Sequence, residues 1–358
     1  MKSKFRHMLL LTVSAGILLP TACNKTILEF PDETGGIDPS LVHFNLTLEV
    51  DPGIEPYVAA KAGEEDGSAG NGGFDVRWQI EVYRDGIEGE PVYDRLLTCD
   101  PAADGNHSQN VSFDLKAARY TIVAWVDYVD DSSTADKYYD TSDLSHIRIP
   151  DAGSYIGSED HKDTYVAVEE VDLTAYFDRW YASVERTMTL TRPMAKIQFV
   201  TVDIQRMLAN LEAMRQNAET EPQSISDKLL SGDPQLNTIR TTVEYAGYLP
   251  SSFNAYTGKP NDAVQGVSFT SNLTQLSDDE AHLGSDFIFV NGSESAVTVN
   301  LVITDDEGNL INRVDGINVP IKRGKLTTVR DEFLTKDYSP GIGIDPGFDG
   351  DINIVIPD

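Results

Sequence analysis

An all-β fold of two tandem β-sandwiches, with one helix inserted in the second, is what this sequence predicts. Three observations point there. Stretches such as Val42–Val50 and Phe74–Val82 alternate apolar and polar residues with the period of a half-buried strand. Turn-forming Gly, Asp and Pro residues recur between these stretches, and only Ile204–Thr220 carries a helical period. A chain of 358 residues, set against about 150 residues per domain, suits two domains. The expected organisation is a leader over 1–22, a tether over 23–40, and sandwiches over 41–190 and 191–358.

The leader opens with a basic group, Lys2, Lys4 and Arg6, followed by the uncharged run Met8–Leu19. At 1.5 Å per residue that run spans roughly 18 Å, too short for a hydrocarbon core of about 30 Å and suited to a signal peptide. It ends in Thr21-Ala22-Cys23, which resembles the lipobox of bacterial lipoproteins, with Leu18 and Leu19 leading in and Pro20 where a leucine is most common. The resemblance implies cleavage between Ala22 and Cys23 and acylation of Cys23. Two or more acyl chains hold a protein stably, since each buried methylene contributes about 0.8 kcal/mol. Asn24–Ser40, with Pro31, Gly35, Gly36 and Pro39, reads as a tether.

The chain carries 28 Lys and Arg against 58 Asp and Glu. The leader holds three basic residues and no acidic one, so its loss takes the formal charge from −30 to −33. Such a balance repels phosphate backbones and anionic lipid, which argues against nucleic acid and leaves the N-terminal lipid as the membrane contact. Of the two cysteines, Cys23 is assigned to lipid, so Cys99 has no disulfide partner and is expected as a small buried hydrophobe.

In order, the first sandwich is expected to use Val42–Val50, Phe74–Tyr83, Pro91–Thr98, Val111–Leu115, Tyr120–Tyr128, Thr164–Leu173 and Ser183–Leu190. Arg84-Asp-Gly86 supplies a hairpin turn. Tyr120–Tyr128 is mostly β-branched and aromatic and is placed centrally in a sheet. Asp51–Gly73 reads as a loop and Asp130–Tyr155 as a long polar excursion. Pro193 marks the join. Met194–Asp203 then leads into the helix, whose stripe of Ile204, Met207, Leu208, Leu211 and Met214 is expected to pack on a sheet. Later strands are Thr238–Tyr245, Gly266–Thr270, Asp286–Val290, Ala296–Thr304, Leu310–Val314, Gly316–Ile321, Lys325–Glu332 and Asp351–Ile356, with Asp305–Asn309 as a turn.

No Gly-x-Ser-x-Gly, His-Glu-x-x-His or phosphate-cradling loop occurs, and acidic pairs such as Glu169/Glu170 or Asp305/Asp306 are expected from composition, so no catalytic residue or cofactor is assigned. Asp345–Asp351 and Asp127/Asp130/Asp131 are the tightest oxygen-rich groups, but neither follows a calcium-loop pattern, and solvated turns are expected; no metal is assigned. Tyr138, Tyr139, Tyr155, Tyr176, Phe177, Trp180 and Tyr181 lie close in sequence, the last four most densely, and are either the edge of a core or a platform for a sugar.

Four further stretches carry a resemblance. Trp125-Val-Asp-Tyr128, Arg192-Pro-Met-Ala-Lys-Ile-Gln-Phe199, Gly324-Lys-Leu-Thr-Thr-Val-Arg330 and Gly343-Ile-Asp-Pro-Gly-Phe-Asp-Gly-Asp-Ile352, behind a lipobox, resemble fimbrillin-like lipoproteins of Bacteroidota. The resemblance implies two transthyretin-like sandwiches and a non-enzymatic place at the outer-membrane surface or in a type V pilus, as subunit, anchor or adhesin. Its implied partners are other pilus subunits or surface ligands. It also implies assembly by strand donation, with Val42–Val50 removable and Asp351–Ile356 a donor. No arginine lies between Cys23 and Arg77, which departs from relatives cut after an arginine. A carbohydrate-binding lipoprotein of a glycan-uptake system is the competing expectation.

Overall fold

The computed structural model describes residues 41–51, 73–102, 105–217, 236–336 and 352–355. The leader, Cys23, the tether, most of the Asp51–Gly73 loop and the Asp345–Asp351 group lie outside the described residues.

The first half contains β1 (Leu41–Val50), β2 (Phe74–Arg84), β3 (Tyr93–Cys99), β4 (Ser108–Lys116), β5 (Arg119–Asp130), β6 (Ile147–Arg148), β7 (Tyr165–Asp172) and β8 (Ala182–Leu190). The second contains β9 (Met194–Thr201), α1 (Ile204–Asn217), β10 (Arg240–Tyr245), β11 (Leu249–Asn254), β12 (Lys259–Val264), β13 (Ser268–Asn272) and β14 (Thr274–Gln275). It continues with β15 (Ala281–Phe289), β16 (Glu294–Thr304), β17 (Leu310–Lys322), β18 (Leu326–Asp331) and β19 (Ile352–Val355).

A sheet ordered β4-β1-β8 faces one ordered β3-β2-β5-β7. The even-numbered residues of β1 and their counterparts on β2, β4, β5 and β8 close over one core. A second core lies between the sheets β14-β15-β9-β18-β19 and β13-β10-β16-β17. The fold is all-β with one described α-helix, as the alternation predicted. That helix packs Ile204, Met207 and Leu211 into the second core, with Leu208 partly buried against it. Its first turn is capped from a distant loop: the Asp279 carboxylate accepts from the Gln205 N–H at 3.0 Å.

Two corrections to the strand reading have physical causes. Leu310–Val314 and Gly316–Ile321 are one strand, β17. Its register against β16 slips between Val299 and Leu301, where Gly316 takes φ +76° and donates its N–H to the Asn300 side chain at 2.9 Å. The glycine makes a bulge rather than a break. The hairpin β11–β12 was not expected, because Pro250 and Pro260 sit within it and β12 is largely exposed; it pairs with β6 in a small sheet ordered β12-β11-β6.

That small sheet explains the excursion after β5. Tyr138, Tyr139, Leu144 and Ile147 are buried, together with Val123 and Trp125 of β5, Phe253 and Ala255 of the hairpin, and Met194, Phe287 and Phe289 of β9 and β15. Strand β5 is therefore buried on both faces, and it lies inside its sheet between β2 and β7, as its mostly β-branched and aromatic sequence predicted. The described residues form one compact unit, and this aromatic layer joins its two cores.

His282 on β15 is largely buried, and burial, with the Lys196 ammonium nearby, pushes its pKa down to about 4, against a weaker upward pull from Asp160. Below about pH 6.5 the unfolded chain takes up this proton and the folded chain does not, so the group's contribution to stability is present at neutral pH and is lost on acidification toward pH 4. The loss amounts to at most about 3 kcal/mol. Denaturant titrations between pH 7 and pH 4 should show His282→Gln flattening this part of the acid limb; an unchanged slope would reject the assignment.

Candidate functional site

Strand β1 sits at the centre of its sheet. It runs antiparallel to β4 and parallel to β8. At its far end the Val50 N–H donates to the His107 carbonyl at 3.0 Å, and the Asp51 N–H to the Leu190 carbonyl at 2.9 Å. Val42, Phe44, Leu46, Leu48 and Val50 all point into the first core, and Phe44 lies against Phe113 with ring centroids 5.5 Å apart. The outer face is polar. Ser112 donates to Asn45 at 2.7 Å, Asn45 donates to Ser183 at 3.3 Å, and Thr47 donates to Asn110 at 2.8 Å. Strand β1 is thus bonded on both edges, with five apolar side chains on its inner face and a polar outer face. At the other end of the chain, β19 lies antiparallel along β18.

The aromatic group splits. Tyr176 and Phe177 are half-buried; Tyr176 packs against the first core and lies under the Arg179 guanidinium, 5.5 Å from its ring centre. Trp180 and Tyr181 are 68% and 71% exposed, and Tyr181 takes φ +55°, a conformation costly for a bulky residue. Tyr138, Tyr139 and Tyr155 belong to buried layers instead. Cys99 is half-buried rather than buried, and the Trp78 indole N–H donates to its Sγ at 3.4 Å.

Sequence reasoning missed three sets of buried charge, one within the first half and two linking it to the second. Arg77 forks onto Asp127 at 2.8 and 2.6 Å and reaches Asp136 at 2.7 Å. Burial pushes the Asp127 carboxyl above its usual range, with Arg77 pulling it down. Arg192 forks onto Asp163 at 2.6 and 2.5 Å, and the Tyr165 hydroxyl donates to Asp163 at 2.7 Å. Burial works to lower the Arg192 pKa, and the Asp163 charge and hydrogen bonds outweigh it. Lys162 meets Asp286, whose other oxygen accepts from Tyr155 and Tyr245. One signal was available: Asp286 is a single acid in the apolar run Asp286-Phe-Ile-Phe-Val290. Lys162, among polar neighbours, gave none.

These groups are paired with one another across the segments that carry them. No cluster of three or more His, Cys, Asp or Glu side chains suited to a metal occurs among the described residues. Asp127 is tied to Arg77, and Asp130 to Lys137.

The profile of a family described as "Family of unknown function (DUF6562)" matches residues 39–357. No curated protein matches the chain. Among solved structures, a DUF1812 protein from Bacteroides thetaiotaomicron is 13% identical, with a TM-score of 0.42, over 81% of this chain and 90% of its own. The fimbrial anchor protein Mfa2 from Porphyromonas gingivalis is 12% identical, with a TM-score of 0.39, over 81% and 90%. A fimbrial assembly protein from Parabacteroides distasonis is 8% identical, with a TM-score of 0.35, over 81% and 91%.

Proposed function

Starting from a chain that belongs to the DUF6562 family, whose function is unknown, we infer that this protein is a non-enzymatic cell-surface lipoprotein. It is held at the outer membrane by lipid on Cys23 and acts as a fimbrial anchor or subunit that engages other pilus subunits by strand exchange. The observation that carries the reading is the seat of β1, bonded on both edges and filling the first core with five side chains in a row. A groove left by such a strand would present two unpaired edges and five apolar pockets, which is what strand addition requires. The lipobox-like Thr21-Ala22-Cys23 and the acidic balance support a tethered body that stays clear of anionic lipid.

Between subunit and anchor, the pairing of β19 with β18 favours the anchor, because a donor strand engaged in its own sheet must first detach. The missing arginine between Cys23 and Arg77 favours it too: while uncut the chain keeps β1 and its lipid, and the β1 groove opens to a partner strand only after cleavage at some other residue. The test removes β1 and returns it as a free peptide. A chain that regains its fold with the peptide, and not without it, has an exchangeable groove; one that folds without it has none.

A second reading rests on Trp180 and Tyr181, two adjacent exposed rings, one of them in a strained backbone conformation of the kind that clusters at binding sites. If they form a sugar platform, polysaccharide cast into a native gel should retard the protein, and Trp180→Ala should abolish the retardation. Wild-type protein that runs unretarded through a panel of polysaccharides would remove this reading.

A further inference from the structure

We propose that Lys162 and Asp286 become covalently joined, as a side-chain amide between Nζ and Cγ. Lys162 ends the short turn Asp160–Lys162 just before β7, and Asp286 lies in the middle of β15. Nζ stands 2.5 Å from Oδ1, and the two side chains are 3% and 0% exposed. The Tyr155 and Tyr245 hydroxyls donate to Oδ2 at 2.7 and 2.6 Å. The Phe287 N–H donates to Oδ1 at 2.9 Å and keeps that oxygen turned toward the lysine. Nζ lies 4.0 Å from the centre of the Tyr155 ring, and the Tyr139 hydroxyl donates to the Lys162 carbonyl, which fixes the turn.

These are the parts an acyl transfer needs. Burial lowers the Lys162 pKa, with Asp286 acting the other way, and so favours the neutral amine that is the nucleophile. Two hydroxyl donors wait at the oxygen where charge develops. In the step, one proton passes from Nζ to Oδ1, leaving an amine and a carboxylic acid. The Nζ lone pair then forms a bond to Cγ, and the displaced electron pair rests on Oδ2 between the two tyrosines. A second Nζ proton moves to Oδ1 as the Cγ–Oδ1 bond breaks, and Oδ1 leaves as water. Ammonium and carboxylate become amide and water, with no other reactant.

Exposed pairs stay ionised because water hydrates both charges; here that hydration is absent, and an amide leaves no charge to bury. The other buried pairs lack a part. Arg77 and Arg192 carry guanidinium groups that do not give up a proton, and Lys196 meets Asp160, which is 56% exposed. The bond would tie the segment entering β7 to the sheet of the second half, so that a pull along the chain meets a covalent link. This inference does not depend on the surface role.

Peptide mapping of the full chain by mass spectrometry tests it. The expected result is a branched tryptic peptide joining the Lys162 and Asp286 segments, lighter by one water than the two linear peptides together. Lys162→Arg should yield only linear peptides, and Tyr155→Phe with Tyr245→Phe should lower the joined fraction. Wild-type protein returning both segments as linear peptides at full mass overturns the proposal, as does a water loss that persists in Lys162→Arg. The wild-type map decides the matter even if the variants fail to fold.

Discussion

A chain lacking Leu41–Val50 is expected to lose the fold of its first sandwich, and a synthetic peptide of that sequence is expected to restore it. Val42, Phe44, Leu46, Leu48 and Val50 are all nearly or fully buried. At about 1.5–3 kcal/mol for each side chain, their burial contributes on the order of 10 kcal/mol. That equals the whole stability of a typical domain, about 5–15 kcal/mol. Removal also strips hydrogen-bond partners from β4 and β8 at once, since β1 lies between them. Near-ultraviolet circular dichroism reports the outcome, because Trp78 and Trp125 are both fully buried in or beside the first core. Peptide carrying Phe44→Asp should fail to restore the signal, whereas Asn45→Ala, on the polar face, should restore it nearly as well as the native sequence. Lys61 is the single lysine or arginine between Lys25 and Arg77, so mild trypsin offers the same excision without redesign. A truncated chain with a native near-ultraviolet spectrum and no peptide would mean that β1 leaves no groove, and strand exchange at this site would be lost with it.

The same strand shows how much was legible beforehand. Its period of two is unbroken, so both its existence and its buried face could be read from Val42–Val50 alone. For β5 the missing alternation was itself informative, and the structure covers both of its faces. What escaped was structure whose driving force is not local. Tyr138, Tyr139, Leu144 and Ile147 are spread through a polar stretch with no period, and they are buried because β5, β11 and β15 converge on them. The hairpin β11–β12 carries prolines and little apolar surface, so nothing in its own sequence announces a strand. The aromatic group at 176–181 was legible as a cluster but not as two exposed and two half-buried rings, since exposure depends on where the following strand β8 turns away. Charge burial was the least legible of all. Asp163 and Arg192 are separated by β7 and β8, and only the closed fold brings them within hydrogen-bonding distance.

Arg192→Ala is expected to cost roughly 3–5 kcal/mol, because it strands a buried carboxylate rather than merely deleting a contact. Asp163 is held by both arms of the guanidinium fork and by Tyr165, and the arginine ring-stacks over Tyr165 at 5.0 Å. Arg192 also stands next to Thr191, which exchanges backbone hydrogen bonds with Val166, so the ion pair and this bridge together hold the join between β8 and β9 against β7. Differential scanning calorimetry should register a fall in Tm of roughly 10 °C for a unit of this size. Arg192→Lys keeps the charge but cannot supply two parallel donors, and should fall between the native chain and the alanine variant. The decisive comparison is the double change Arg192→Met with Asp163→Leu. Removing both charges relieves the desolvation cost of each, so this chain should recover more than half of what Arg192→Ala loses. If the double variant is as unstable as the single one, the cost lies in the shape of the join and not in the stranded charge, and the pair would be a packing element that happens to be ionised.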